Sequence, residues 1–550
     1  VKVSLNWLKE YVDLSGIPVS EIIHNLTMSG LEVEEVINQN EIYKNFVVGF
    51  VKEKIKHPNA DKLSVCKISN GTEEMQVVCG APNVEVGQKI VFAQIGAIVP
   101  NGNFKITKVK IRGTESFGMI CSESELEISS NHEGIMVLSS ELKEGTPLSE
   151  ALGLDDVLLE IAITPNRSDA LSHFGVARDL SAIFDRKLKL PEIKLIECEN
   201  DIKDFATVEI LDLINCPRYS AKVVKDVIVK ESPGWLKKVV QKIGMRSINN
   251  IVDVTNYIMY ETGQPLHAFD LKMLAGNKIV VQSTTIESQF TTLDSKVRKL
   301  PANTLLICDA EKPVAVAGVM GGENSEVTAD TKNILIESAY FNPSSIRRTA
   351  KALGLSTDAS YRFERTTNAG GTIYAAERAA QLIAELSGGK VALGTIDVYP
   401  EEVKQSLVSV RFARVEKILG YYVEPEKIRK IVLALGFEIT FENDEQISVS
   451  VPLFRPDVER EIDVIEEIAR INGYDNIPTI SSFSVPLGVK HDESSFYNKV
   501  RDTAVGLGFY EMINNPLQNE KTAALTGNQI GVLNPQSLDM AYLRTSLIPG

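Results

Sequence analysis

Among only six histidines in the chain, His267 stands in a setting that suits chemistry. It lies in Gln264-Pro-Leu-His-Ala-Phe-Asp270, a polar loop that follows a helix predicted over residues 251–263. Thr255 and Asn256 sit on that helix, and with His267 they can order a water molecule. A purely structural hydrogen-bond role for the histidine is the competing reading. Glu337 follows Ile334-Leu-Ile336 on what should be a buried strand. A carboxylate there must be paired or functional. Ala315–Gly322 reads as a strand running into a glycine-rich turn at Gly318. It is not GxGxxG, so it is no dinucleotide fingerprint. Its glycines let a ligand approach the backbone, and a tight hairpin would use them equally well. In Ser356–Arg365, Arg362 and Arg365 suit phosphates, the buried acid or a structural ion network.

Two charged patterns suggest other chemistry. Lys105, Lys108, Lys110 and Arg112 fall within eight residues, and Lys108 and Lys110 alternate with Val109 and Ile111. That spacing places charge on one strand face, and Lys52, Lys54 and Lys56 repeat it. A basic face on a small barrel suits a phosphate backbone; a solvated strand face is the alternative. Asp457, Asp463, Glu466 and Glu467 form an acidic stretch whose last three members share one helix face. Clustered carboxylates suit Mg²⁺ or Ca²⁺, and a merely solvated acidic face competes.

The elements that must position these groups follow from pattern changes along 550 residues, a length that implies three or four domains. Hydrophobic residues make up 44%, enough for several cores, so wholesale disorder is excluded. No apolar run is long enough to span a bilayer, so no membrane role is expected. Six cysteines form no CxxC pair, and no basic segment with an apolar run opens the chain. Reduced thiols and a cytoplasmic location are expected. With 58 basic and 73 acidic residues, the net charge of −15 excludes indiscriminate coating of polyanions. It is compatible with local grips, because residues 41–130 carry 11 basic and 10 acidic side chains. Residues 3–30 look helical. Residues 47–137 are short β-rich runs separated by turns, which indicates a small barrel or sandwich. Residues 170–188 return to helix, so the β block looks inserted. Residues 201–400 read as α+β, with Asn342-Pro343 as a helix start. Residues 411–478 read as three helices and a strand. A Pro/Ser stretch over 478–486 then precedes a helix at 496–507 and a strand at 508–514. That last piece is too short to close a mixed sheet, and the chain is expected to stop inside a domain.

Several long strings in one order resemble the β subunits of bacterial phenylalanine–tRNA ligases. They are Ser4-Leu-Asn-Trp-Leu8, His57-Pro-Asn-Ala-Asp-Lys-Leu63, Ile163-Thr-Pro-Asn-Arg-Ser-Asp169, the His267 segment, Gly318-Val-Met-Gly-Gly322, Tyr361-Arg-Phe-Glu-Arg365 and Glu466-Glu-Ile-Ala-Arg-Ile-Asn-Gly-Tyr474. The resemblance implies a multidomain α+β chain. An OB-fold tRNA-binding barrel (40–150) would sit inside a small α/β N-terminal domain (1–39 and 151–200). An α+β editing domain (201–400), a helix-turn-helix-like domain (401–480) and the start of a class II synthetase-like catalytic domain (481–550) would follow. It implies an (αβ)₂ enzyme in which the α subunit uses ATP and phenylalanine, with tRNA(Phe) as partner. It also implies a Mg²⁺ site at Asp457, Asp463, Glu466 and Glu467. The family continues past Gly550, so a truncated chain is expected. On this reading Glu337, with backbone near Gly318 and Ala359, recognises the phenol of tyrosine mischarged onto tRNA. Thr255, Asn256 and His267 would place the ester and water. A free-standing hydrolase and a tRNA scaffold with a dead pocket are the competing functions. The helix block and acidic cluster disfavour the first, and the intact polar set disfavours the second.

Overall fold

The computed structural model describes residues 1–129, 131–479, 481, 482, 484, 488, 494–527 and 529–550. The expected Pro/Ser stretch lies partly outside the described residues. The chain divides into two compact units, residues 1–478 and 479–550.

The first unit opens with a surprise. Lys2–Ser4 is a strand, not helix, and pairs antiparallel with Val157–Ala162, which also pairs with Glu32–Asn38. Helices Val19–Met28 and His173–Ile183 cover this small sheet. Its two halves are therefore separated in sequence by the β block, as inserted chain requires. In that block Phe46–Lys56, Ser64–Ser69, Glu74–Cys79, Lys89–Gln94 and Gly118–Ile120 form one antiparallel sheet. Phe117 N–H donates to Gln76 O, joining its far edges into a partly closed barrel.

Two further sheets pack face to face around Tyr219, Phe269, Leu335 and Phe341, all with zero exposure. One carries Arg218–Lys225, Ile334–Tyr340 and Leu266–Asp270 as antiparallel neighbours. The other runs through Lys278–Ser283, Leu305–Cys308, Pro313–Val316 and Met320–Gly321. Helices Val252–Thr262 and Thr372–Ser387 cover the first sheet. Asn342 caps Pro343–Leu353, accepting from Ser344 N–H at 3.0 Å. The next block has three strands, Leu407–Arg411, Glu438–Glu442 and Gln446–Ser450, where the sequence suggests one. Those strands alternate buried and exposed residues around turns and are short enough to be masked by helix-like neighbours.

In the second unit, helix Ser494–Gly506 is followed by the small hairpin of Leu517–Gln518 with Tyr542–Leu543. The strand expected at 508–514 is absent: residues 509–514 take no regular structure. Its apolar side chains Phe509, Met512 and Ile513 are exposed.

Candidate functional site

The strand Leu266–Asp270 lies beside Ile334–Tyr340 with His267 directly opposite Glu337. Cross-strand partners project to the same face. His267 is thus a strand residue at a cavity wall, not part of a polar loop. The cavity measures about 370 Å³. Asn256, His267, Gly318, Glu337 and Ala359 all line it, together with apolar groups such as Met259 and Leu293.

Each wall has a local cause. Gly318 adopts φ +64° in the turn between Val316 and Met320, and a Cβ there would press on Ile346 and Phe363 at 3.0 Å. At Gly321 a Cβ would lie 2.6 Å from His267 Cε1, so glycine makes the room the imidazole occupies. Ala359 sits in the short helix Asp358–Phe363, which Thr357 starts with a capping box. The Thr357 hydroxyl also donates to Val319 O at 3.0 Å, fastening that helix to the glycine turn.

Thr255 is not brought to the cavity. It is buried on helix Val252–Thr262, and its hydroxyl donates back to Val252 O at 2.8 Å. One position further round the helix, Asn256 reaches the cavity. Arg362 and Arg365 also lie elsewhere: Arg362 bonds Leu171 O and Asp358, and Arg365 pairs with Glu364.

Glu337 is 7% exposed and accepts one hydrogen bond, from the Tyr219 hydroxyl to Oε2 at 2.8 Å. Burial pushes its carboxyl up to about 7, against the pull of that donor. Tyr219 was invisible as a functional group because it reads as one more core residue of a buried strand. The only signal was that a buried acid needs a donor. Burial pulls His267 down to about 4, so its ring is neutral near pH 7. His267 Nε2 is buried with no hydrogen-bond partner among the described residues. The site therefore presents a neutral imidazole and a half-ionised carboxyl on one wall.

The basic candidates are split between elements. Lys105 lies on Phe104–Lys105, and Lys110 on Val109–Ile111. Lys108 precedes that strand, while Arg112 is in the turn after it at φ 46°. A single charged strand face is thus not formed. Lys108 pairs with Glu115 at 3.1 Å, Lys52 with Glu74 at 2.6 Å and Lys56 with Asp61 at 2.7 Å. Lys54 donates to Val84 O at 2.7 Å. Lys105, Lys110 and Arg112 have no ion pair among the described residues. Lys105 lines a groove of about 600 Å³ with exposed Phe104 and Val109, the mix of cation and aromatic that suits single-stranded nucleic acid.

The acidic candidates do not converge. Among the described residues no group of three or more potential ligands could hold a metal ion. Arg455 donates to both Asp457 and Glu467, with contacts of 2.6–2.9 Å. Glu467 is buried, which disfavours its charge, but Arg470 and Arg455 outweigh burial and hold its pKa well below the carboxylate range. Asp463 caps helix Glu461–Asn472 and pairs with Arg460 at 2.9 Å. Glu466 alone points to solvent. Guanidinium groups occupy the lone pairs a cation would need, so these residues as arranged do not fit Mg²⁺.

Four family models match the chain in sequence. They are a putative tRNA binding domain (46–147), a B3/4 domain (215–388), a tRNA synthetase B5 domain (408–474) and a phenylalanyl tRNA synthetase beta chain CLM domain (477–550). The barrel, the two-sheet module with its cavity and the helix–strand block are thus parts of a tRNA synthetase. The phenylalanine–tRNA ligase beta subunit of Syntrophus aciditrophicus is 46% identical over all of this chain and 69% of its own length. That of Geobacter metallireducens is 44% identical with the same coverage. The chain belongs to the phenylalanine–tRNA ligase beta subunit family. A fragment of the Pyrococcus horikoshii phenylalanyl-tRNA synthetase beta subunit covers 58% of this chain and 88% of its own at 15% identity. Its TM-score of 0.32 is too low to bear on the fold. Among the described residues no helix is long and apolar enough to cross a membrane.

Proposed function

We propose that this chain works as the β subunit beside an α subunit that joins phenylalanine to tRNA(Phe) with ATP, and that its cavity edits. The reaction is hydrolysis of tyrosine mischarged onto tRNA(Phe). Water adds to the ester carbonyl, the carbon–oxygen bond to the terminal ribose breaks, and a proton passes to the departing ribose oxygen. Free tyrosine and intact tRNA result.

The observation that carries this reading is Glu337 on the cavity wall, buried and held by Tyr219 on Oε2 only. Its other oxygen is the acceptor for a substrate phenol. Phenylalanine has no phenol and would leave that oxygen unpaired. His267 titrates too low to act as a strong base at neutral pH, so its role is to orient the water through a neutral ring nitrogen. Asn256 supplies an amide to hold the ester. The barrel grips tRNA chiefly at Lys105, Lys110 and Arg112. An (αβ)₂ assembly in the cytoplasm fits this role.

The test is deacylation of Tyr-tRNA(Phe) and Phe-tRNA(Phe) by the chain and by Glu337→Ala. Loss of the preference for tyrosine is expected. An unchanged preference refutes the role of Glu337. No hydrolysis by the wild type, alone or with the α subunit, refutes editing and leaves a tRNA-binding scaffold.

A further inference from the structure

A second cavity, about 270 Å³, lies behind the segment that carries His267. Gly263 and Gln264 line it, while Pro265, Leu266 and His267 line the first. Its other walls come from the N-terminal module (Asp169, Phe174, Arg178), from Thr367 and Tyr374, and from Phe454. Its volume is at the small end of ligand cavities, which run to roughly 300–1,000 Å³.

The charge pattern at this junction is unusual. Arg167 pairs with Asp169 and Asp179, Arg470 with Asp179 and Glu467, and Arg455 with Asp457 and Glu467. Arg178 is the exception. Its guanidinium carbon lies 3.7 Å from the centroid of the Phe454 ring, and among the described residues it makes no hydrogen bond or ion pair. A guanidinium has five N–H donors, and in a partly buried site they call for an acceptor. Asp169 lines the same cavity with its side chain only 2% exposed. Thr367 Oγ1 and Gln264 Oε1 are buried there without partners among the described residues. The remaining wall is apolar: Phe174, Leu190 and the Tyr374 ring.

Asp169 is already held on both oxygens by Arg167, so one cation without a partner, two buried oxygens without partners and an apolar wall match a zwitterion with an apolar tail. We propose that this cavity binds a free α-amino acid, its carboxylate on Arg178, its ammonium on Gln264 Oε1 and Thr367 Oγ1 and its side chain against Phe174 and Tyr374. A phosphate is disfavoured, because a dianion brings no donor to Gln264 Oε1 and Thr367 Oγ1. The two cavities are lined by consecutive residues of one segment, 262–264 and 265–267. The Gln264 amide donates to Ala339 O at 2.7 Å, on the strand that carries Glu337 two residues earlier.

The experiment is equilibrium dialysis of radiolabelled L-phenylalanine against the 550-residue chain without α subunit. L-phenylalaninamide, 3-phenylpropionate and inorganic phosphate serve as competitors. Saturable binding with unit stoichiometry is expected in the wild type and in Glu337→Ala. The amide and the propionate, each lacking one charged contact, should compete about tenfold or more weakly. Arg178→Met should weaken binding similarly. Because Arg178 borders an ion cluster, Leu190→Glu is the second variant: Leu190 is 44% exposed, so the fold tolerates it, and it places a carboxylate against the apolar tail. Absence of saturable binding overturns the proposal. So does binding lost in Glu337→Ala but kept in Leu190→Glu, which would put the ligand in the first cavity. Displacement by phosphate overturns it too.

Discussion

Tyr219→Phe removes one oxygen from a fully buried ring and leaves the packing volume nearly unchanged. In the wild type that oxygen is the donor to Glu337 Oε2, at 2.8 Å, and it opposes the burial that lifts the carboxyl to about 7. A hydrogen bond to a charged group contributes about 1.5–3 kcal/mol, and one pKa unit corresponds to about 1.4 kcal/mol. Without the donor the charged form loses that support, so the pKa of Glu337 rises by about one to two units. The sign follows directly: at any given pH near neutrality, more of Glu337 is protonated in the variant. The ionised carboxylate is the stronger acceptor for a phenol. Wild-type preference for Tyr-tRNA over Phe-tRNA should therefore climb as pH rises through about 7. In Tyr219→Phe the same climb should be displaced upward by about one to two pH units. The assay is initial-rate deacylation of both esters across this range, with spontaneous hydrolysis subtracted. His267 cannot mimic the effect, because its ring titrates near 4. Coincident profiles, or a shift to lower pH, would refute the assignment of Tyr219 and Glu337 as one acceptor unit.

Gly321→Ala should push His267 from the wall, since the new Cβ would lie 2.6 Å from its Cε1; deacylation should fall about tenfold or more with tRNA affinity unchanged. Equal rates would show that the ring position is immaterial. Glu467→Gln should destabilise the first unit by about 1–3 kcal/mol, because it weakens the bonds from Arg455 and Arg470 while Asp457 and Asp179 still pair them. The wild-type melting temperature should be indifferent to chelator, and a chelator-sensitive one would speak for a metal in place of the ion network. Lys105→Ala with Lys110→Ala should lower the slope of log affinity for tRNA against log salt by about 0.7–0.9 for each charge. Lys52→Ala, whose partner is Glu74, should change the slope less, and an equal loss would refute the ranking of these lysines.

How far the residues announced this arrangement depends on whether their roles are local. Glu337 was legible because a carboxylate after Ile334-Leu-Ile336 contradicts its own strand, and such contradictions mark paired or functional groups. The partner that resolves it, Tyr219, was not legible, because with Ala221 and Val223 it reads as the apolar face of a strand that alternates with Arg218, Ser220 and Lys222, and its hydroxyl adds no pattern. Thr255 and Asn256 look interchangeable in sequence, yet a helix turns about 100° between them, and only Asn256 faces the cavity. The acidic face failed for a similar reason. Residues spaced i, i+3 and i+4 share a face only roughly, and packing against Arg455 and Arg470 buries Glu467 while Glu466 stays in water. The arginines that neutralise Asp457 and Glu467 lie two residues before the stretch and three after it, outside the acidic run itself.

The Tyr219 contact also bounds how selective this cavity can be. A carboxylate offers about four lone-pair sites. Tyr219 takes one on Oε2, and it does so whether or not a substrate is present. Glu337 is therefore never wholly unpaired, which makes the buried acid tolerable in the resting site. A tyrosyl ester adds a second donor at Oε1, whereas a phenylalanyl ester excludes water from that oxygen and gives nothing back. Leaving such a buried acceptor unsatisfied costs about 1–3 kcal/mol, or roughly five- to 150-fold in preference. If measured discrimination lies within that range, one carboxylate accounts for it. A preference far above it would require a second phenol contact, and the glycine turn at Gly318 and the start of the helix at Ala359 are the places where backbone could supply one. Glycine at 318 also suits its φ of +64° and the tight packing there, since a Cβ would press on Ile346 and Phe363 at 3.0 Å.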